Sequence, residues 1–391
     1  MTRDRPIYFD HNATTPCDPH VLESMLPFFT EQYGNAASVG HRLGREAEKA
    51  VSDARRQVAA LIGASPGEII WTSGATEANN LAIKGVMAAG QPKGRKHIVT
   101  QATEHKAVLD PIQRLAREGF SITVLPVDHH GKVNLEQFRI SLRQDTALVS
   151  IMWANNETGT VQDIAGLVSA AKAVVPSVVF HCDATQAAGK LPEVDVSVGI
   201  DLMSLTAHKL YGPKGCGALY VRRTRPSVSI RSLIDGGGHE KGLRSGTLNV
   251  PGIVGFGKAC ELAGQCVVNE RERVSRLRDR LWLLLSSQLD GIHLNGPSDA
   301  RLPNTLSVAF DGASAESMMM ACDDICFSAG SACTIASIEP SHVLRAMGFS
   351  ESRCFSSLRF SLGRSNSAVH VDYAAERLIT VVRSLRSLRE V

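Results

Sequence analysis

From about residue 46 to residue 221 the spacing of apolar residues switches repeatedly between a helical and a strand period, and this alternation limits the fold more than any other feature. EAEKAVSDARRQVAALIG places Ala47, Ala50, Val51, Ala54, Val58, Leu61 and Ile62 on one helical face. EIIWTS then reads as a short buried strand, and GATEANNLAIKGVMAAG as a helix ending at Gly90. The pattern continues with strand HIVT, helix AVLDPIQRLAREG, strand SITVLPV, a turn at DHHGK and helix LEQFRISL. Strand ALVSIM, helix IAGLVSAAKAV, strand VVFHCD and the strands DLMSLTA and GALYV close the run. Apolar strands separated by amphipathic helices predict an α/β fold, a mainly parallel sheet covered on both faces. Ligands of such sheets sit at the carboxyl ends of the strands, so those ends are where chemistry is expected.

Beyond DGGGHEKGLRSGTLNVPG the character changes. A long helical pattern covers roughly 253–290, followed by strand NTLSVAF, helix AESMMMACDDI, helix PSHVLRAMG, strand SLRFSLG and a last helix from about 370. That order predicts a smaller α+β unit. A chain of 391 residues exceeds one ordinary core. A large domain over 16–254 and a small domain built from 1–15 and 255–391 are expected. Hydrophobic content of 43% with 21% charged residues describes a globular protein, and a net charge of +3 is too small to call for a nucleic-acid or membrane surface. MTRDRPIYFD has no apolar core of a signal peptide, and no apolar run approaches a membrane span. A cytoplasmic protein with mostly reduced thiols is expected, its nine cysteines forming no disulfide framework.

The strand ends carry the candidate residues. Gly74, Ala75 and Thr76 follow EIIWTS and open a helix, where free N–H groups, the helix dipole and a hydroxyl suit a phosphate as well as they suit a capped turn. ANNETGT, with two amides and a carboxylate, ends ALVSIMW. Asp183 ends VVFHC, with Gln186 close behind; a carboxylate there needs a partner, structural or functional. Lys209 follows His208 at the end of DLMSLTA, and a desolvated lysine beside another cationic group becomes a nucleophile. A phosphate cradle, an acidic strand end and a lysine 26 residues later are together the parts needed to hold pyridoxal 5'-phosphate. No GxGxxG follows the first strand, against a dinucleotide.

YFDHNATTP, TSGATEANNLAIKG, TEHKAV, NNETGT, DATQAAGK, AHKLYGPKG, RSGTLNVPG, SAGSACT, EPSHVLRAMG and LRFSLGR, in this order, resemble the cysteine desulfurases of the iron–sulfur and nitrogen-fixation type. These are class V members of the fold-type I pyridoxal-phosphate enzymes. The resemblance implies a homodimer that takes sulfur from L-cysteine, leaves L-alanine and passes the sulfur to an acceptor protein. That acceptor would be an iron–sulfur scaffold, a thiolation relay or a DNA-phosphorothioation partner. It further implies that Lys209 binds the cofactor aldehyde and that Asp183 pairs with the ring nitrogen. Gln186 and Asn155 would face the phenolic oxygen and the substrate. Ala75, Thr76, Thr206 and His208 would hold the phosphate, with Thr247 reaching it from the other subunit. His105 would stack on the ring and move protons, and Arg359 would take the substrate carboxylate, for which a guanidinium is suited.

Within CFSAGSACTIAS, Cys333 sits among small residues that cannot pack around it. A thiol on such a loop has the reach to collect sulfur and carry it out, so Cys333 is the expected persulfide residue. Ala329 and Ile335 stand where relatives usually have serines. Cys322 and Cys326, four apart, would share a helix face as packing residues rather than join Cys333 as metal ligands. Three alternatives remain: a selenocysteine lyase or a class V aminotransferase, which keep the cofactor, and a binding protein that keeps only the fold.

Overall fold

A computed structural model describes residues 5–90, 94–224, 226–329 and 339–388. Its main sheet has seven strands in the order Ile69–Thr72, Gly217–Val221, Leu202–Thr206, Val179–Asp183, Thr146–Ser150, His97–Gln101 and Ser121–Leu125. Every neighbouring pair is parallel except those made by Gly217–Val221, which is antiparallel to both its neighbours. The α/β architecture agrees with the sequence pattern.

Because side chains alternate along a strand, each strand feeds two cores. Ile69, Trp71, Val149, Phe180, Cys182, Met203 and Leu205 face one core, with helices Arg42–Leu61 and Ile164–Val174. Ile70, Ile98, Leu148, Leu202 and Leu219 face the other, with helices Ala75–Ala89 and Lys106–Arg117. Each large side chain buried this way contributes about 1.5–3 kcal/mol. Cys182 and Cys216 are buried core residues.

One continuous helix, Val250–Ser286, serves two cores in succession. Val250, Ile253, Phe256 and Cys260 pack on the main sheet. Val274, Leu281 and Leu285 pack on a second, antiparallel sheet with the order Ser328–Ala329, Ser357–Ser361, Thr305–Phe310 and Ile292–Leu294. The closing helix Ala368–Ser387 covers this sheet through Leu378 and Val382. The N-terminal segment reaches across: Phe9 joins the second core, and Ile7–Tyr8 pairs in parallel with Ile325–Cys326.

That pairing corrects one expectation. The helix read over AESMMMACDDI stops at Ala321, with Cys322 as its cap and Cys326 on the strand beside Tyr8. Cys322 and Cys326 therefore do not share a helix face. Long-range backbone pairing between Ile7 and Ile325 outweighs the local helical pattern. Among the described residues no helix is long and apolar enough to cross a membrane.

Candidate active site

A cavity of about 620 Å³ opens at the carboxyl ends of the main-sheet strands. Ala75, Thr76, His105, Asp183, Gln186, Thr206, His208, Lys209 and Arg359 all line it. Sequence positions 284 residues apart are thus brought to one place. Asn155 and Thr247 lie outside the lining, and Cys333 lies outside the described residues.

The helix Ala75–Ala89 begins at Gly74, whose φ of +157° favours glycine, and no side chain among the described residues caps it. Gly217 on the antiparallel strand lets the chains come close there: a Cβ on Gly217 would stand 2.6 Å from Gly74 Cα. Ala75 and Thr76 in this uncapped first turn line the cavity, which leaves backbone N–H groups and a positive helix end for an anion. Thr206 is buried next to it, its hydroxyl donating to the Cys216 carbonyl at 3.3 Å.

Asp183 is 6% exposed and held by two donors. Asn79 Nδ2 reaches one oxygen at 2.7 Å and the Thr185 N–H the other at 2.9 Å. Asn79 Oδ1 and Thr185 Oγ1 are buried without partners among the described residues, so this corner carries polar capacity beyond what the protein uses.

Lys209 Nζ donates to the backbone oxygens of Asn12 and Ala13, the latter at 2.6 Å. The neighbour expected to be cationic is not. Burial first, and Lys209 next, push the His208 imidazole down to about 4, so it is neutral at pH 7, with Nδ1 3.2 Å from Thr14 Oγ1. A second basic group near Lys209 is Lys190, which bonds Asn12 Oδ1 and Gln186 Oε1 at 3.2 and 2.7 Å.

His105 is the N-cap of Lys106–Arg117, its Nδ1 accepting from the Ala107 N–H at 3.0 Å. Capping and function are compatible here, because the cap bond leaves the proton on Nε2. Burial, with Lys209 adding to it and Asp183 opposing, lowers its pKa and keeps the ring neutral. Arg359, 4% exposed on the second sheet, donates to Asp10 Oδ1 at 2.6 Å and to the Asn156 carbonyl at 3.1 Å, while its Nε is buried without a partner among the described residues.

The placement of Asn155 departs from expectation. Its Nδ2 donates to the Thr103 carbonyl at 3.0 Å, and its Oδ1 accepts from the N–H groups of Glu157 and Thr158. The amide is consumed in shaping its own loop, and the next residue, Asn156, faces the cavity. Thr247 is exposed. The residues that sequence reasoning left without roles are Asp10, Asn12, Asn79, Thr185 and Lys190. All five stand inside the quoted motifs, but a motif does not say which atom a side chain will meet.

A family model described as aminotransferase class-V matches residues 7–374. The chain belongs to the class-V aminotransferase family. A curated relative, cysteine desulfurase IscS of Anaeromyxobacter sp. strain Fw109-5, is 54% identical over 383 residues, covering 98% of this chain and 94% of the relative. A solved structure described as a NifS-like protein superposes with a TM-score of 0.90 at 38% identity, over 97% of this chain and all of the other. Another, described as SspA in complex with cysteine, gives 0.79 at 37% identity, over 91% and 98%. Class-V aminotransferases use pyridoxal phosphate, and the donor set fits that group: an open helix end for phosphate, an oriented carboxylate, a lysine on the cavity wall and unspent polar atoms beside Asp183.

Proposed function

We infer that this protein is a cysteine desulfurase, which removes sulfur from L-cysteine and releases L-alanine. The convergence of Lys209, Asp183 and an uncapped helix start on one cavity carries the reading. When bound there, pyridoxal phosphate supplies an aldehyde for an amine and a ring that withdraws electrons from the substrate Cα. Ala75, Thr76, Thr206 and His208 hold the phosphate end, and Asp183, fixed by Asn79 and Thr185, keeps the ring nitrogen protonated.

Lys209 would hold the cofactor through its aldehyde, and its Nζ would serve as the base for the substrate Cα proton. Neutral His105 offers Nε2–H toward the cavity as a proton donor. Arg359 takes the substrate carboxylate through its unpartnered Nε face while Asp10 and Asn156 hold its other nitrogens. The Cys333 thiolate attacks the substrate sulfur, so an S–S bond forms as the C–S bond breaks, and protonation of the remaining carbon fragment gives alanine. The described residues on either side support this delivery. Ser328 lines the cavity, and Ser341 Oγ is held by the buried Glu157 carboxyl at 2.5 Å.

The protein works as a cytoplasmic homodimer, with Thr247 contributed across the dimer, and gives its persulfide sulfur to an acceptor protein for iron–sulfur or other sulfur-containing products. The test is mass spectrometry of the cofactor-loaded protein after L-cysteine. One added sulfur on the peptide containing Cys333, with alanine released, is expected. A loaded protein that makes no alanine overturns the reading. A Cys333→Ala variant with undiminished turnover overturns the thiol's role alone.

A further inference from the structure

Lys190 stands four residues after Gln186, and its hydrogen-bond partners among the described residues are groups to which the proposed reaction gives no chemical step. Its Nζ donates to Gln186 Oε1 at 2.7 Å and to Asn12 Oδ1 at 3.2 Å. An ammonium offers only donors, so it dictates which end of the Gln186 amide it meets. The carbonyl oxygen must face Lys190, and the NH₂ must face away. That NH₂ donates to the Asn12 backbone oxygen at 3.0 Å, the same oxygen that receives Lys209 Nζ. Two lysines therefore meet at Asn12, one on its side chain and one on its backbone.

Their charges oppose each other. The groups facing Lys190 are the cations Lys209 and Arg359 and the anion Glu270. Groups around Lys209 include the imidazoles of His105 and His208 and the amine of Lys190, with the Asp183 carboxylate on the same cavity wall. Burial first, then Lys209 and Arg359, push the Lys190 ammonium down to about 7 against the pull of Glu270. The repulsion is mutual, so whatever charge Lys190 keeps disfavours a proton on Lys209.

We propose that Lys190 is a positioning residue of the cofactor site: it orients the Gln186 amide with its NH₂ on the Asn12 and Lys209 side, and its charge lowers the proton affinity of Lys209. The inference rests on reading the cavity as a pyridoxal phosphate site. A free Lys209 amine at neutral pH is what both cofactor attachment and proton removal require.

The experiment is a pH titration of the long-wavelength cofactor absorption in the loaded protein without cysteine, which reports protonation at Lys209 Nζ. In Lys190→Met the midpoint is expected to rise by about one unit, and in Lys190→Arg to stay near the wild-type value. Lys190→Gln separates the two roles. It keeps a donor for Gln186 Oε1 and loses the charge, so its midpoint rises while its cofactor affinity stays close to wild type. It also carries the test if Lys190→Met does not fold. A midpoint unchanged in the neutral variants, or raised equally in Lys190→Arg, overturns the proposal. A purely structural lysine would alter thermal stability and leave the midpoint in place. Wild-type protein that binds cofactor but makes no alanine would sink the desulfurase reading and leave this measurement standing.

Discussion

The helices Ala75–Ala89 and Lys106–Arg117 lie on the same face of the main sheet and both start at its carboxyl edge, yet they treat their first N–H groups in opposite ways. The first starts at Gly74 with no side-chain cap. The second is closed by His105, whose Nδ1 takes the Ala107 N–H. An open start keeps donors and dipole for a ligand anion. A closed start spends a donor on the imidazole and in return fixes its tautomer and orientation. On the proposed reading, binding and proton transfer thus call for different solutions to one problem, the unpaired N–H groups of a helix end.

The largest expected effect comes from separating capping from chemistry at His105. Asparagine is a strong N-cap and has no group that exchanges protons near neutrality. His105→Asn should leave thermal stability near wild type and lower kcat for cysteine by about 10²–10⁴-fold. His105→Ala should lose the same activity and also about 1 kcal/mol of stability. Activity retained in the asparagine variant would show that the imidazole only caps, and the contrast between the two helices would collapse.

A smaller effect is expected at the open start. Thr76 is exposed in the first turn, where a carboxylate favours the helix dipole. Thr76→Asp should therefore stabilise the cofactor-free protein by about 0.3–1 kcal/mol while weakening pyridoxal phosphate on the order of 100-fold by like-charge repulsion. Opposite signs for stability and affinity are the mark of an end kept open for an anion. Affinity that follows stability upward would break the comparison from this side.

The sequence pattern made much of this arrangement legible, for identifiable reasons. Strand runs such as EIIWTS and VVFHCD are apolar on both faces, which only a covered sheet allows, and their last residues then marked the cavity edge. Strand direction was not legible: GALYV is as apolar as its parallel neighbours, and only the short connection from Lys209 to Gly217 makes it run the other way. The end of the helix at Ala321 was hidden too, because its competitor is Ile7, more than 300 residues away in the chain. Among site residues, Asp183 ends a strand, His105 begins a helix and Lys209 closes the short turn that follows a strand, and so they announce themselves. Asp10 meets Arg359 only through folding, across 349 positions. Asn155 and Asn156 are alike in sequence, and the turn that ends in Thr160 decides which amide it consumes.

Glu104, immediately before the capping histidine, gives the smallest and sharpest test. It is fully buried; one oxygen accepts from the Gln101 amide at 2.8 Å and the Met152 N–H at 2.5 Å, and the other has no partner among the described residues. Burial, reinforced by Asp183, raises its pKa to about 8, so at neutral pH it is a protonated acid. If His105 alone supplies acid–base chemistry at this helix start, Glu104 must be a silent acid whose neutral form the fold prefers. The sign follows from linkage. The folded protein holds this proton between the ordinary carboxyl value of 4.5 and about 8. Its contribution is therefore complete below that window and is lost as pH rises through it. Glutamine keeps the accepting oxygen and cannot ionise. Glu104→Gln should match wild type near pH 5 and melt about 1–3 °C higher by pH 8.5, with kcat unchanged in its pH profile. His11, His181 and His208, each pushed down to about 4, cost stability as pH falls, but they do so equally in both proteins and cancel in the difference. Parallel melting curves would mean the carboxyl is ionised after all, and the neutrality of the His105 neighbourhood would have to be given up with it.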